Sequence, residues 1–250
     1  MNLVFDIGNT RTKVALFAQG EMVDLWNRAN ADYAQAELEA YVATLCRHYE
    51  VEGAIASVVG AMPEWKALLP ESLLGRLHIL GKATTLPFKV DYETPDTLGA
   101  DRLALVAGAL NHQPQGNVLV VDAGTCITFD FIDSRNTYLG GAIMAGLRLQ
   151  LGAMHNHTAK LPMLESAMAE SLPLLGRSTR GCMYSGSIRT TAFAIEGYYT
   201  SLAKDQAQAP VLILTGGDAE TLSQYITIPH QTHKYLLLEG LANIEQNLNR

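Results

Sequence analysis

Two stretches of this chain share one grammar. An apolar strand at residues 2–5 runs into Asp6-Ile7-Gly8-Asn9-Thr10-Arg11-Thr12-Lys13, and a second strand, Val14 to Phe17, leads out. Leu119-Val120-Val121-Asp122-Ala123-Gly124-Thr125 repeats the sequence of strand, Asp, small residue, Gly and Thr, and the alternating segment Ile127 to Ile132 follows. In the first copy, Asp6 stands at a strand end, where a carboxylate can hold a hydrated Mg²⁺. Gly8 lets the backbone turn tightly and approach an anion. Asn9, Thr10 and Thr12 offer donors, and Lys13 brings a compact positive charge. A strand follows the turn instead of a helix, so this is neither a P-loop nor a dinucleotide fingerprint. Taken alone, the first copy also reads as an ordinary Gly/Asn turn. The recurrence argues for a device.

A third element extends the pattern. Val211-Leu212-Ile213-Leu214 is an apolar strand that ends in Thr215-Gly216-Gly217-Asp218. Two Asp-Gly-Thr hairpins followed by a Gly-Gly turn resemble the acetate/sugar kinase–actin–chaperone superfamily. That resemblance implies an α/β fold of two duplicated ribonuclease H-like (actin-like ATPase) lobes with a nucleotide cleft between them. The hairpins would hold phosphates and metal, and the Gly-Gly turn would lie against adenine or ribose.

The 250 residues suit two domains of about 110–140 residues each. At 48% hydrophobic and 17% charged, the chain reads as well buried and globular. A net charge of −7 argues against a general nucleic-acid or membrane-surface role. Cys46, Cys126 and Cys182 have no C-x-x-C spacing and read as small buried hydrophobes in a reducing compartment. With no secretory signal and no apolar run of membrane-spanning length, the expectation is a soluble cytoplasmic protein.

Strands are expected near 2–7, 13–18, 21–28, 53–59 and 77–80, with a helix from about Tyr33 to Tyr49 and another from Gly99 to Leu110. The second half repeats the order: strands near 118–122, 126–132 and 137–144, a helical region, then strand 211–214. The boundary falls in the polar loop Asn111 to Gly116, which gives domains 1–113 and 114–250.

Between the repeats, Asp91-Tyr92-Glu93-Thr94-Pro95-Asp96-Thr97-Leu98-Gly99-Ala100-Asp101-Arg102 is extended and then opens a helix. Asp101 in the first turn can accept a proton from an alcohol, with Arg102 positioned to hold an acidic substrate. It can equally complement the helix dipole. Asp96 is a rival base, although its setting after Pro95 favours a turn or cap. His155 and His157 read as loop histidines without a metal set. Arg177, Arg180 and Arg189 suit a phosphate path or a helix surface. The helix from about Thr179 to Tyr199, with Met183, Ile188, Phe193 and Ile195, reads as packing or a dimer seam.

These residues resemble the type III pantothenate kinases along essentially the whole chain. The family's D-x-G-N-T-x-x-K is Asp6 to Lys13, its G-x-D-R is Gly99 to Arg102, and its D-x-G-T is Asp122 to Thr125. Its G-G-x-I is Gly140 to Ile143, with Ala145 where a proline is usual and Ser178 where Asn is common. The resemblance implies phosphorylation of pantothenate by ATP, the first step of coenzyme A biosynthesis. It makes Asp101 the proton acceptor. Asp6, Ile7, Gly8, Asn9, Thr10, Arg11, Thr12, Lys13 and Thr125 would contact ATP. Tyr92, Gly99, Ala100, Asp101, Arg102 and Thr179 would contact pantothenate. Asp6 would organise Mg²⁺, and Asp122 would hold the required K⁺ or NH₄⁺. It also implies a homodimer. Two other classes remain: another small-molecule kinase of the superfamily, or a non-catalytic ATP-binding regulator.

Overall fold

The structure, a computed structural model, describes residues 1–165 and 172–248. Internal contacts divide the chain into two units, Met1–Pro114 with Leu236–Arg250, and Gln115–Tyr235.

In the first unit, β1 (Asn2–Ile7), β2 (Arg11–Ala18) and β3 (Glu21–Ala29) form an antiparallel meander. Helix α1 (Gln35–His48) leads to β4 (Gly53–Val58), which lies parallel to β1. The short helices α2 (Trp65–Leu68) and α3 (Glu71–Leu74) lead to β5 (Leu77–Ile79), parallel to β4. The sheet order is β3-β2-β1-β4-β5. β1 occupies the middle, so Leu3 to Ile7 is buried on both faces, and its apolar run follows from that position. Period-two alternation assigns the faces. Leu3, Phe5 and Ile7 join Ala54, Ala56 and Val58 in one core with Leu38, Val42 and Leu45 of α1. Asn2, Val4 and Asp6 face the other way, together with Gly53, Ile55 and Ser57 of β4.

That second face is covered by α4 (Ala100–His112) and α9 (Leu236–Leu248). The approach of α4 to β4 is preceded by a two-residue strand β6 (Lys89–Val90) and a 3₁₀ turn over Pro95–Thr97. The two helices touch backbone to backbone. A Cβ on Gly240 would lie 1.8 Å from the Ala104 carbonyl oxygen, and one on Gly108 would lie 2.1 Å from that of Leu236. The first unit is therefore built from two separate stretches of sequence, because the last helix returns to it.

The second unit builds the same sheet again. β7 (Val118–Ala123), β8 (Cys126–Ile132) and β9 (Thr137–Ala145) are antiparallel neighbours. Helix α5 (Leu147–Asn156) and a long helical segment intervene before β10 (Val211–Thr215), parallel to β7. After α8 (Ala219–Ser223), β11 (His230–Thr232) adds parallel to β10. The five strands of this unit run in the order β9-β8-β7-β10-β11, which repeats the arrangement of the five in the first unit. This is the two-lobed α/β fold expected from the paired hairpins.

The long segment departs from the single regular helix expected at Thr179 to Tyr199. It consists of α6 (Thr179–Tyr184), a π-helical turn over Ser185–Arg189, and α7 (Thr190–Asp205). The wider turn resets the helical phase. Met183, Ile188, Ala192 and Ile195 point into the core, whereas Phe193 is rotated out and 50% exposed. Cys126 and Cys182 are also exposed, at the start of a strand and in a helical first turn, so burial as packing residues is corrected for both. Cys46 is partly buried, and burial pushes its thiol pKa up. Among the described residues no helix is long and apolar enough to cross a membrane.

Candidate active site

In the first unit, chemistry gathers where β1 ends. Asp6 is 6% exposed, and its Oδ2 lies 2.8 Å from Lys13 Nζ, its register partner on β2. The turn between them is closed by Gly8 N–H donating to the Arg11 carbonyl at 3.0 Å. The end of β4 holds it from the other side, with the Val59 and Gly60 amides both donating to the Ile7 carbonyl, at 3.0 and 2.9 Å.

A residue that the sequence reading passed over clamps the hairpin. Asn30, just beyond β3, donates through Nδ2 to the Gly8 carbonyl at 2.9 Å and the Asn9 carbonyl at 3.1 Å. Its Oδ1 accepts from Thr12 Oγ1 at 3.0 Å, and Tyr33 OH donates to that same Thr12 hydroxyl at 2.9 Å. Thr12 is therefore 1% exposed, its hydroxyl turned inward as part of the clamp. Arg11 lies outside, its Nε donating to Asn27 Oδ1 at 2.9 Å, and Asn9 is exposed. Asn30→Ala removes three hydrogen bonds and is expected to destabilise the protein by about 1–3 kcal/mol. Chemical denaturation of the variant beside the wild type would read that loss.

Asp101 sits in the first turn of α4, with Gly99 as the residue before the helix. Its Oδ1 accepts from the Arg102 amide at 2.9 Å. Burial pushes its carboxyl pKa up from the ordinary value. The Arg102 amide bond pulls it part of the way back, and the negative charge of Asp6 adds to the rise. Two carboxylates of one unit thus sense each other, one held by a lysine and the other made more basic by desolvation. Arg102 is 5% exposed and Tyr92 partly buried, while Ala100 opens the helix. The rival base is placed elsewhere: Asp96 lies in the 3₁₀ turn, its side chain 70% exposed and paired with Lys82 at 2.5 Å.

In the second unit, three motifs converge on Asp122. The hairpin closes with Gly124 N–H donating to the Cys126 carbonyl at 3.1 Å, and Gly146 N–H donates to the Thr125 carbonyl at 3.1 Å. Thr215 is the register partner of Asp122 on β10, and the Gly216-Gly217 turn follows it. Gly216 has φ +93°, and a Cβ there would lie 2.3 Å from Asp122 Oδ1 and 2.6 Å from the Ala123 carbonyl oxygen. Only glycine fits that conformation and that space. The Gly216 backbone thus packs directly against the Asp122 carboxylate and the Ala123 carbonyl. Asp218 N–H then donates to the Ala123 carbonyl at 3.0 Å, tying the turn to the hairpin. Thr125 is exposed at the hairpin tip.

Thr179 opens α6 and is exposed, and the residue before it is the cap, Ser178 Oγ accepting from the Gly181 amide at 3.1 Å. A cap explains why a small polar residue suits position 178. Arg189 is structural: its guanidinium lies 4.4 Å from the Tyr225 ring centre and donates to the Leu172 carbonyl, from Nη2 at 2.7 Å. Arg177 and Arg180 are exposed. His155 lies in α5, with Nδ1 2.8 Å from the Leu161 carbonyl oxygen, which suits a helix-end contact.

Residues 2–201 match the family model described as type III pantothenate kinase. A type III pantothenate kinase of Flavobacterium psychrophilum is 36% identical over 248 residues, covering 98% of this chain and 99% of the relative. One of Phocaeicola vulgatus is 37% identical over 245 residues, with 98% and 97% covered. Among solved structures, a conserved protein of Campylobacter jejuni described as a Baf family transcriptional activator superimposes with a TM-score of 0.59 at 22% identity, covering 99% of this chain and all of that one. At that identity the likeness is one of fold.

Proposed function

The chain belongs to the type III pantothenate kinase family, and from that premise we propose how its residues divide the work. It is a phosphotransferase that moves the γ-phosphoryl group of ATP to the primary alcohol of pantothenate, the first step of coenzyme A biosynthesis. Such transfers pass through loose transition states, so catalysis is mostly in-line positioning and charge neutralisation.

Asp101 is the proton acceptor for the pantothenate alcohol. The observation that carries this role is its partly buried place in the first turn of α4, where burial makes the carboxylate more basic. Tyr92, the Gly99 to Arg102 segment and Thr179 bind pantothenate. The Asp6 to Lys13 hairpin, made rigid by Asn30, faces the phosphates, with Thr125 as a further nucleotide contact. Thr12 acts there through its backbone, since its hydroxyl is committed to Asn30 and Tyr33.

Asp6 suits a hydrated Mg²⁺, because its carboxylate stands at the strand end with one neighbouring cation, Lys13. Asp122 is the residue we assign to K⁺ or NH₄⁺, because its Oδ1 and the Ala123 carbonyl lie together against the Gly216 turn, and oxygen donors are what such an ion prefers. When bound, the ions supply positive charge next to the phosphates that an acidic chain otherwise lacks. The same reading puts the enzyme in the cytoplasm, where ATP is supplied.

The test is ATP consumption with and without pantothenate in K⁺ or Na⁺ buffer. Pantothenate-dependent, K⁺-dependent turnover supports the reading, and turnover on a hexose without turnover on pantothenate overturns it. Self-association is proposed through α7, whose outward Phe193 and Tyr198 are 50% and 41% exposed. Phe193→Asp is then expected to yield a monomer by sedimentation, and an unchanged dimer would move the interface elsewhere.

A further inference from the structure

Ser57, at the end of β4, is 0% exposed, and among the described residues its Oγ has no hydrogen-bond partner. A buried hydroxyl in that state carries a desolvation cost, so its retention calls for an oxygen or nitrogen that arrives later. Its surroundings say which. Register pairs Ser57 with Asp6 on β1, and Asp6 with Lys13 on β2. The three side chains thus form a row across three strands on the face that α4 covers. Lys13 already binds Asp6 at 2.8 Å, while Ser57, on the other flank, donates to nothing. The duplicated sheet offers an independent comparison. Its equivalent position, next to Asp122 on β10, holds Thr215, 3% exposed. Each unit therefore sets a buried hydroxyl beside the aspartate of its hairpin.

We propose that Ser57 is a further positioning residue of the phosphoryl-transfer site, its hydroxyl reserved for an oxygen of the nucleotide–Mg²⁺ complex beside Asp6. A phosphate oxygen would accept from that hydroxyl, and a water of the metal shell would donate to it. The inference rests on the reading of Asp6 to Lys13 as nucleotide-facing. It differs from a packing role in a measurable way, since a hydroxyl that has no partner in the free protein does not hold the free protein together.

The test compares Ser57→Ala with the wild type by thermal unfolding and kinetics. The melting temperature of the free variant should equal or exceed that of the wild type. The upward shift produced by Mg-ATP should shrink, and kcat/KM for ATP should fall about ten- to a hundred-fold, with the KM for pantothenate within about twofold. Ser57→Thr, which restores the hydroxyl, should recover the Mg-ATP shift. Titration of Mg²⁺ against ATP without Mg²⁺ separates the two partners: loss of the shift only when Mg²⁺ is present points to the metal shell. Unchanged kcat/KM for ATP overturns the proposal. So does a drop in the melting temperature of the free protein that accounts for the lost activity, or an effect confined to pantothenate. The thermal shift needs no turnover, so it decides the role of Ser57 even if the wild type proves inactive on pantothenate.

Discussion

Asp101→Asn is expected to lower turnover by about 10²–10⁴-fold, the usual loss when a general base is removed, while pantothenate still binds. The asparagine keeps an Oδ1 to accept from the Arg102 amide, so the first turn of α4 should survive. Because burial raises the Asp101 pKa, the acidic limb of the rate profile belongs above the ordinary carboxylate range. Activity should fall as pH drops through that raised value, and the variant should lose this limb. Stability carries the opposite sign. A carboxyl whose folded pKa is raised favours folding below its unfolded pKa, and that contribution is lost as pH rises through the folded value. At neutral pH the charged Asp101 therefore strains the free protein, and the asparagine variant should melt at the same or a higher temperature. Near-normal turnover in the variant would remove Asp101 from the mechanism.

Asp122→Ala is expected to abolish both the K⁺ response and most activity. The Gly216 turn packs against Asp122 Oδ1 and the Ala123 carbonyl, and oxygen donors of that kind suit the proposed cation. Without a cation, the carboxylate would repel a nucleotide. The wild type should accordingly work well in K⁺ or NH₄⁺ and poorly in Na⁺, while the variant should be slow and indifferent to all three. Cys126→Ala, nearby in sequence and exposed, should behave as the wild type. Equal wild-type rates in pure K⁺ and pure Na⁺ would refute the cation role and leave Asp122 to Mg²⁺ or the fold.

The central strands β1, β4, β7 and β10 were legible because each is an apolar run with a glycine or aspartate at or just beyond its end, a local signal, whereas the short polar β11 and the two-residue β6 were not foreseen. Legible for the same reason was the duplication, since Asp6-Ile7-Gly8 and Asp122-Ala123-Gly124 stand at matching points of matching sheets. What escaped the sequence depends on pairing across distance. Asn30 and Tyr33 reach Thr12 only because β2 and β3 fold back on each other. Ser57 became visible once the β1–β4 register put it beside Asp6. The π turn after Thr179 was not foreseen, and within α7 Phe193 and Ile195 stand two residues apart and so face different sides, with only Ile195 buried. The exposure of Cys126 and Cys182 follows from hairpin and cap positions that composition does not record.

The return of α9 to the first unit has a bearing on how the protein is made. During synthesis the second unit's residues emerge as one uninterrupted piece, Gln115–Tyr235, and can close their own sheet at once. The first unit cannot. Its helix α4, with Ala104 and Gly108 waiting for the backbone of Leu236 and Gly240, stays uncovered until that later segment leaves the ribosome. The lobe translated first is thus the one completed last. A chain stopped short of Leu236 would leave the helix that carries Asp101 bare on one side, while the lobe next to the break kept its own strands and helices.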